Sequence, residues 1–197
     1  MQKNDNKEQT SLAKELYDVF EILVIAACVV LLLYSFVFRL CRVSGGSMDT
    51  TLADGQMLVV SNINYTPEYG DIIVFHQTAP ENKMGLNEPI VKRVIATGGQ
   101  KIDIDFDTWT VTVTDTDGAV TVLDESEYMF LEGGKAIVKS DWSFPIEVPE
   151  GYLFVMGDNR NGSKDSRSRI IGLVDERRVI GKALLRITPF NKFGNLD

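Results

Sequence analysis

Val43-Ser44-Gly45-Gly46-Ser47-Met48-Asp49-Thr50-Thr51-Leu52 sets one serine among small residues, just downstream of a hydrophobic segment. A serine hydroxyl is a poor nucleophile near neutral pH. It becomes catalytic only beside a base, with donors aimed at the oxyanion that develops during attack. Gly45 and Gly46 let backbone approach a substrate closely, and Met48 offers an apolar wall next to Ser47. Taken alone the stretch also reads as a glycine-rich turn, so its meaning depends on what lies on either side.

Upstream, residues 1–18 are polar and mixed in charge and read as a short tail. From Ile22 to Phe38 there is no charged residue, and with Val19, Phe20 and Leu40 at its flanks the run is long enough for a hydrocarbon core of about 30 Å. The expectation is one transmembrane helix over 19–40. The run exceeds the apolar region of a cleaved leader, and Phe38-Arg39-Leu40 is not a small-residue cleavage site. Lys3, Lys7 and Lys14 before the run and Arg39 and Arg42 after it nearly balance, so charge alone does not orient the helix.

Downstream the pattern changes to short apolar runs punctuated by Gly, Pro, Asn and Asp, which predicts a mainly β domain over 41–197. Met57–Val60, Asp71–Phe75, Ile90–Ala96 and Tyr152–Met156 read as strands. Residues 108–123 alternate, with Trp109, Val111 and Val113 on one side, and Asp117-Gly118 turns the chain into Ala119–Val122 as a hairpin. Gln77 to Glu88 reads as a polar loop, and residues 101–150 as an inserted β lobe without a motif of its own.

The net charge of −8 over 197 residues argues against nucleic acid, whose phosphates need clustered Lys and Arg. The acids are spread along the chain (Asp103, Asp105, Asp107, Asp115, Asp117, Glu125, Glu127) and read as a solvated surface. Cys28 and Cys41 fit neither a zinc nor a CxxC spacing. On one helix they would stand about 20 Å apart, too far to pair. His76, the only histidine, has no motif around it to orient a catalytic imidazole.

A different base is on offer in Ile90-Val91-Lys92-Arg93-Val94-Ile95. Strand alternation puts Lys92 on one face with Ile90 and Val94, and burial disfavours an ammonium, so a neutral amine there could take the proton of Ser47. An exposed lysine beside an exposed Arg93 is the plainer reading of that run. The third stretch is Gly157-Asp158-Asn159-Arg160-Asn161-Gly162-Ser163-Lys164-Asp165-Ser166-Arg167, in itself a polar turn.

Together with Gly70-Asp71-Ile72-Ile73-Val74-Phe75 and Ile180-Gly181-Lys182-Ala183, these stretches in this order resemble the type I signal peptidases. Those are membrane-anchored serine proteases with a Ser/Lys dyad. The resemblance runs from the hydrophobic segment to Pro189. It implies an antiparallel β-rich catalytic domain with a variable β insertion, behind one N-terminal transmembrane helix. It also implies a cytoplasmic tail, a catalytic domain on the extracytoplasmic side of the cell membrane, secretory preproteins and the lipid bilayer as partners, and no metal or organic cofactor. Ser47 would be the nucleophile, Lys92 the general base, Ser163 the residue orienting the lysine, and Asp165 and Arg167 a supporting charge pair. Asp158 and Arg160 would stabilise the turn.

Met48, Leu52, Ile90 and Val91 flank these residues and are expected to line a pocket for small side chains. The Ser47 N–H is expected as one oxyanion donor. Gly45 stands where some members place a donor serine, and Ser44 is one position early, so the second donor is left to backbone or water. Thr50 replaces the usual proline, and Gln100 replaces an aspartate, removing a structural interaction. Two other functions compete. A self-cleaving Ser/Lys repressor would carry a DNA-binding module where this chain has its apolar run, and a noncatalytic membrane-tethered β module gives no reason for Ser47, Lys92 and Ser163 to recur in order.

Overall fold

The computed structural model describes residues 2–77, 89–131, 137 and 140–196, with only the backbone for 2–13 and 33–36. Most of the polar loop expected over 77–88 therefore lies outside the described residues. The chain forms two units, Met1–Arg39 and Leu40–Asp197. The first is one helix, α1 (Gln2–Val37), running through both the expected tail and the apolar run without a break. Its described apolar side chains, Ile22 to Ile25 and Val29 to Leu32 among them, are exposed. Among the described residues no helix is long and apolar enough to cross a membrane; residues 33–36 of the expected span lie outside the described side chains.

The second unit is β-rich. Its strands are β1 (Arg39–Arg42), β2 (Met57–Ser61), β3 (Ile72–His76), β4 (Pro89–Ala96), β5 (Lys101–Asp105), β6 (Thr110–Thr114), β7 (Val120–Val122), β8 (Ile146–Glu147), β9 (Tyr152–Met156), β10 (Val174–Asp175), β11 (Val179–Thr188) and β12 (Gly194–Asn195). Among the described residues they form an eight-stranded sheet in the order β1-β2-β11-β3-β4-β9-β10, with β12 on β11, and a four-stranded sheet β7-β6-β5-β8. The pairings whose registers are described are antiparallel.

Strand β4 joins the parts. Val91 packs in a core built on β2, β3 and β11, together with Met48 and Leu52 from the serine loop. Val94 and Ile90 face a second core with Ile73, Phe75 and Val155. A register shift between Val94 and Ala96 turns Ile95 and Ala96 into a third core with Ile102, Val111 and Phe154, which fastens the smaller sheet to the main one. A bulge is the usual device for re-aiming a strand in this way.

The two outer motif stretches meet directly. Lys182 of β11 pairs with Asp71 at 2.7 Å, and Asp71 also accepts from Tyr65 Oη at 2.8 Å and from the Glu68 N–H at 2.9 Å. At Gly181 a Cβ would run into the Ser61 carbonyl on the neighbouring strand. Three local expectations change. Trp109 lies in the turn before β6 with φ 53°, not in the strand. Gln100 does support its turn, its Oε1 accepting from the Thr97 N–H at 2.8 Å. Glu125 is buried, not solvated. Cys28 and Cys41 are both free.

Candidate active site

The main sheet brings Ser47 and Lys92 together. Lys92 pairs with Ile73 across β3 and β4, on the face that alternation assigns to Ile90 and Val94, and it is 2% exposed. Its Nζ donates to Ser47 Oγ at 2.7 Å and to the Val91 carbonyl at 2.9 Å. Burial pushes the amine down from the ordinary 10.5 to about 8. The carboxylates of Asp165 and Asp158 pull the other way, and the Arg167 guanidinium adds to the lowering. An amine with that value supplies neutral base in the mildly alkaline range and still carries a proton to return.

The serine loop is fixed from below by packing and from the sides by hydrogen bonds. Met48 and Leu52 are buried in the first core, each contributing roughly 1.5–3 kcal/mol, and the Leu52 N–H donates to the Met48 carbonyl at 2.8 Å. The Asn159 N–H donates to the Ser47 carbonyl at 3.1 Å, and Asn159 Nδ2 to the Gly46 carbonyl at 3.1 Å. Further along, Thr51 Oγ1 donates to Asp158, and Arg186 Nη1 donates to the Thr51 carbonyl at 3.0 Å. Among the described residues the Ser47 N–H has no internal acceptor, which leaves it available to a substrate oxygen.

The Gly157–Arg167 stretch folds around its own charges. Asp165 accepts from Arg167 Nε and Nη2, both at 2.8 Å, and from the Gly157 N–H at 3.0 Å. Burial opposes the charge of Asp165, but these donors outweigh it and hold the carboxyl below its usual range. Arg167 Nη2 also donates to the Arg160 carbonyl at 2.7 Å. Gly157 is required by close approach, since a Cβ there would strike both the Ser163 side chain and the Ser47 carbonyl.

Ser163 is buried beside this glycine. Its hydroxyl lies close enough to Asp165 to favour that carboxylate, yet it closes no hydrogen bond, and none reaches the Lys92 amine.

Asp158 and Arg160 act at longer range than a turn requires. Asp158 takes a two-pronged contact from Arg93, Nε to Oδ1 at 2.9 Å and Nη2 to Oδ2 at 2.8 Å, so Arg93 is buried and paired rather than exposed. Arg160 forms the same kind of fork with Glu125, at 2.6 and 2.7 Å, and donates Nε to the Gly157 carbonyl at 2.9 Å.

A cleft of about 430 Å³ opens over the Ser47–Lys92 pair, walled by Val43, Met48, Ile90, Val91, Ile170 and Ile171. Leu52 is not part of it: it sits wholly inside the core, because the turn from Ser47 to Leu52 points that side chain inward. Ile170 and Ile171 come from a segment without a motif. Ser44 borders the cleft as well. His76 is exposed at the end of β3 and does not line it. Among the described residues no cluster of His, Cys, Asp and Glu could hold a metal ion.

The family model for signal peptidase, peptidase S26, matches residues 16–188. The chain is 33% identical over 195 residues to the signal peptidase I of Bacillus licheniformis, covering 97% of this chain and 98% of that protein. It is 32% identical over 189 residues to signal peptidase IB of Staphylococcus aureus (strain Mu50), covering 92% and 94% respectively.

Proposed function

The chain belongs to the signal peptidases of family S26 and is a serine peptidase that cleaves signal peptides, and from that premise we propose how its own residues divide the work. Ser47 Oγ attacks the scissile carbonyl carbon while Lys92 Nζ takes the hydroxyl proton. The oxyanion so formed rests on the Ser47 N–H. Collapse of the tetrahedral species breaks the peptide bond, and Lys92 returns the proton to the leaving amine, leaving the signal peptide as an ester of Ser47. Water, deprotonated by the same amine, hydrolyses that ester and frees the serine. The observation that carries this reading is the 2.7 Å contact between a buried lysine and a serine on a packed loop.

Asp165 and Arg167 act as a fixed charge pair that steadies the loop under Ser47 through Gly157. Ser163, whose buried hydroxyl closes no hydrogen bond and lies with the Ser47 carbonyl against Gly157, takes the lysine-orienting role that the family resemblance implies. Met48, Ile90 and Val91 form shallow apolar pockets that admit alanine-sized residues at the first and third positions before the cut and exclude bulk by steric clash. The uncharged run from Ile22 to Phe38 anchors the enzyme as a single transmembrane helix from about residue 19 to Val37, shorter than the 19–40 expected because Arg39–Arg42 is strand β1, with residues 1–18 inside and the β domain outside. A preprotein still held in the bilayer by its own apolar segment then meets the cleft at high effective concentration.

The test is a peptide pair differing only in the residue before the scissile bond. Alanine should be cut and tryptophan refused; comparable cleavage of both would remove the pocket assignment.

A further inference from the structure

Among the contacts that hold the serine loop, one comes from no motif. Arg186, on β11, donates Nη1 to the Thr51 carbonyl at 3.0 Å and Nε to the Lys192 carbonyl at 2.6 Å. The same guanidinium thus bridges the loop that carries Ser47 and the short 3-10 turn Phe190–Lys192 near the C-terminus. Leu52, the next residue, is packed in the core, but Thr51 itself borders open space. A hollow of about 330 Å³ lies there, bounded by Thr50, Thr51, Arg93, Tyr128, Arg186 and Leu196. At Thr51 the chain is therefore held by two polar ties, its hydroxyl to Asp158 and its carbonyl to Arg186, rather than by packed apolar atoms. Asp158 in turn is held by Arg93, the neighbour of Lys92 on β4.

We infer that Arg186 is a positioning residue for the signal-peptide reaction: its forked contact fixes the far end of the serine loop, so that the C-terminal segment sets the distance between Ser47 and Lys92. The chemistry requires a planar fork. A guanidinium reaches two carbonyls in fixed directions, whereas an ammonium is a point donor on a flexible stem. The position also explains why the effect belongs to rate more than to folding. Arg186 is half-buried and bonds to carbonyls at the edge of a hollow, so its removal opens no cavity in a core. A nucleophile displaced by about 1 Å, by contrast, loses up to roughly a hundredfold in rate.

This rests on Ser47 and Lys92 being the reacting pair, which Ser47→Ala tests separately. In the full-length protein in detergent, acting on a quenched peptide with alanine at the first and third positions before the cut, Arg186→Met keeps the aliphatic stem and removes the fork. The expected result is a fall in kcat of about tenfold, with KM within twofold, the melting temperature within a few degrees, and the acid limb of the pH profile unmoved. Arg186→Lys should recover part of kcat. Wild-type kcat in Arg186→Met, or a fall that tracks loss of folded protein by circular dichroism, would overturn the inference. Cleavage by Ser47→Ala would instead overturn the reading beneath it.

Discussion

At the level of single residues, Lys92 has two measurable consequences. Its amine is pushed down to about 8 by burial, so the neutral base grows as pH rises through that value. The expected acid limb of kcat/KM has its midpoint near 8, and it should vanish from any variant still active without Lys92; a midpoint at 6 or below would point to a different base. The second consequence concerns stability. Between about 8 and 10.5 the unfolded chain binds a proton that the native state does not, so stability climbs with pH across that window. Below 8 the buried amine carries its full penalty, on the order of 3 kcal/mol. Lys92→Met should therefore abolish activity yet raise stability at pH 7 by about 1–2 kcal/mol, once the lost contacts to Ser47 and Val91 are set against the penalty. Urea unfolding at pH 7 and pH 11 checks this, with the gain expected to disappear at the higher pH. Alternation and glycine spacing make Ser47 and Lys92 candidates at most, since each stretch alone reads as a turn or an exposed lysine; the resemblance carried by the order of the stretches is what pairs them. Leu52 is misplaced because its proximity in sequence to Ser47 does not reveal that the turn aims it inward.

At the level of elements, the Gly157–Arg167 stretch behaves as a clamp whose parts cannot move independently. Gly157→Ala would push a methyl into Ser163 and the Ser47 carbonyl, and is expected to lower activity far more than stability in a paired kinetic and thermal assay. Glu125→Ala leaves Arg160, which is 0% exposed, without its forked partner, and should cost about 3–5 kcal/mol in denaturant unfolding. An unchanged midpoint would show that the pair is not a structural tie. The strands that the sequence predicts, Met57–Val60 through Tyr152–Met156, match β2, β3, β4 and β9 because period-two patterning is written in consecutive residues. Glu125–Arg160, Arg93–Asp158 and Arg186–Thr51 were not readable: each joins residues far apart in the chain, and nothing in the composition of either partner names the other. Glu125 looked like one more solvated acid until the fold brought a guanidinium to it.

At the level of the whole molecule, an acidic β unit with a net charge of −8 in the full chain gives anionic membrane lipids little to attract, so the proposed helix must supply the attachment. Deleting residues 1–38 should reduce processing of a membrane-inserted preprotein more than cleavage of a short soluble peptide, measured side by side with the full-length enzyme. Equal losses on both substrates would argue against tethering. The central claim, that Ser47 and Lys92 are the reacting pair, is tested most directly by incubating a preprotein with the detergent-solubilised wild type, Ser47→Ala and Lys92→Met and determining the new N-terminus of each product. The account predicts one cut after a small residue with the wild type, and no product from either folded variant. The same cut made at full extent by Ser47→Ala would contradict it.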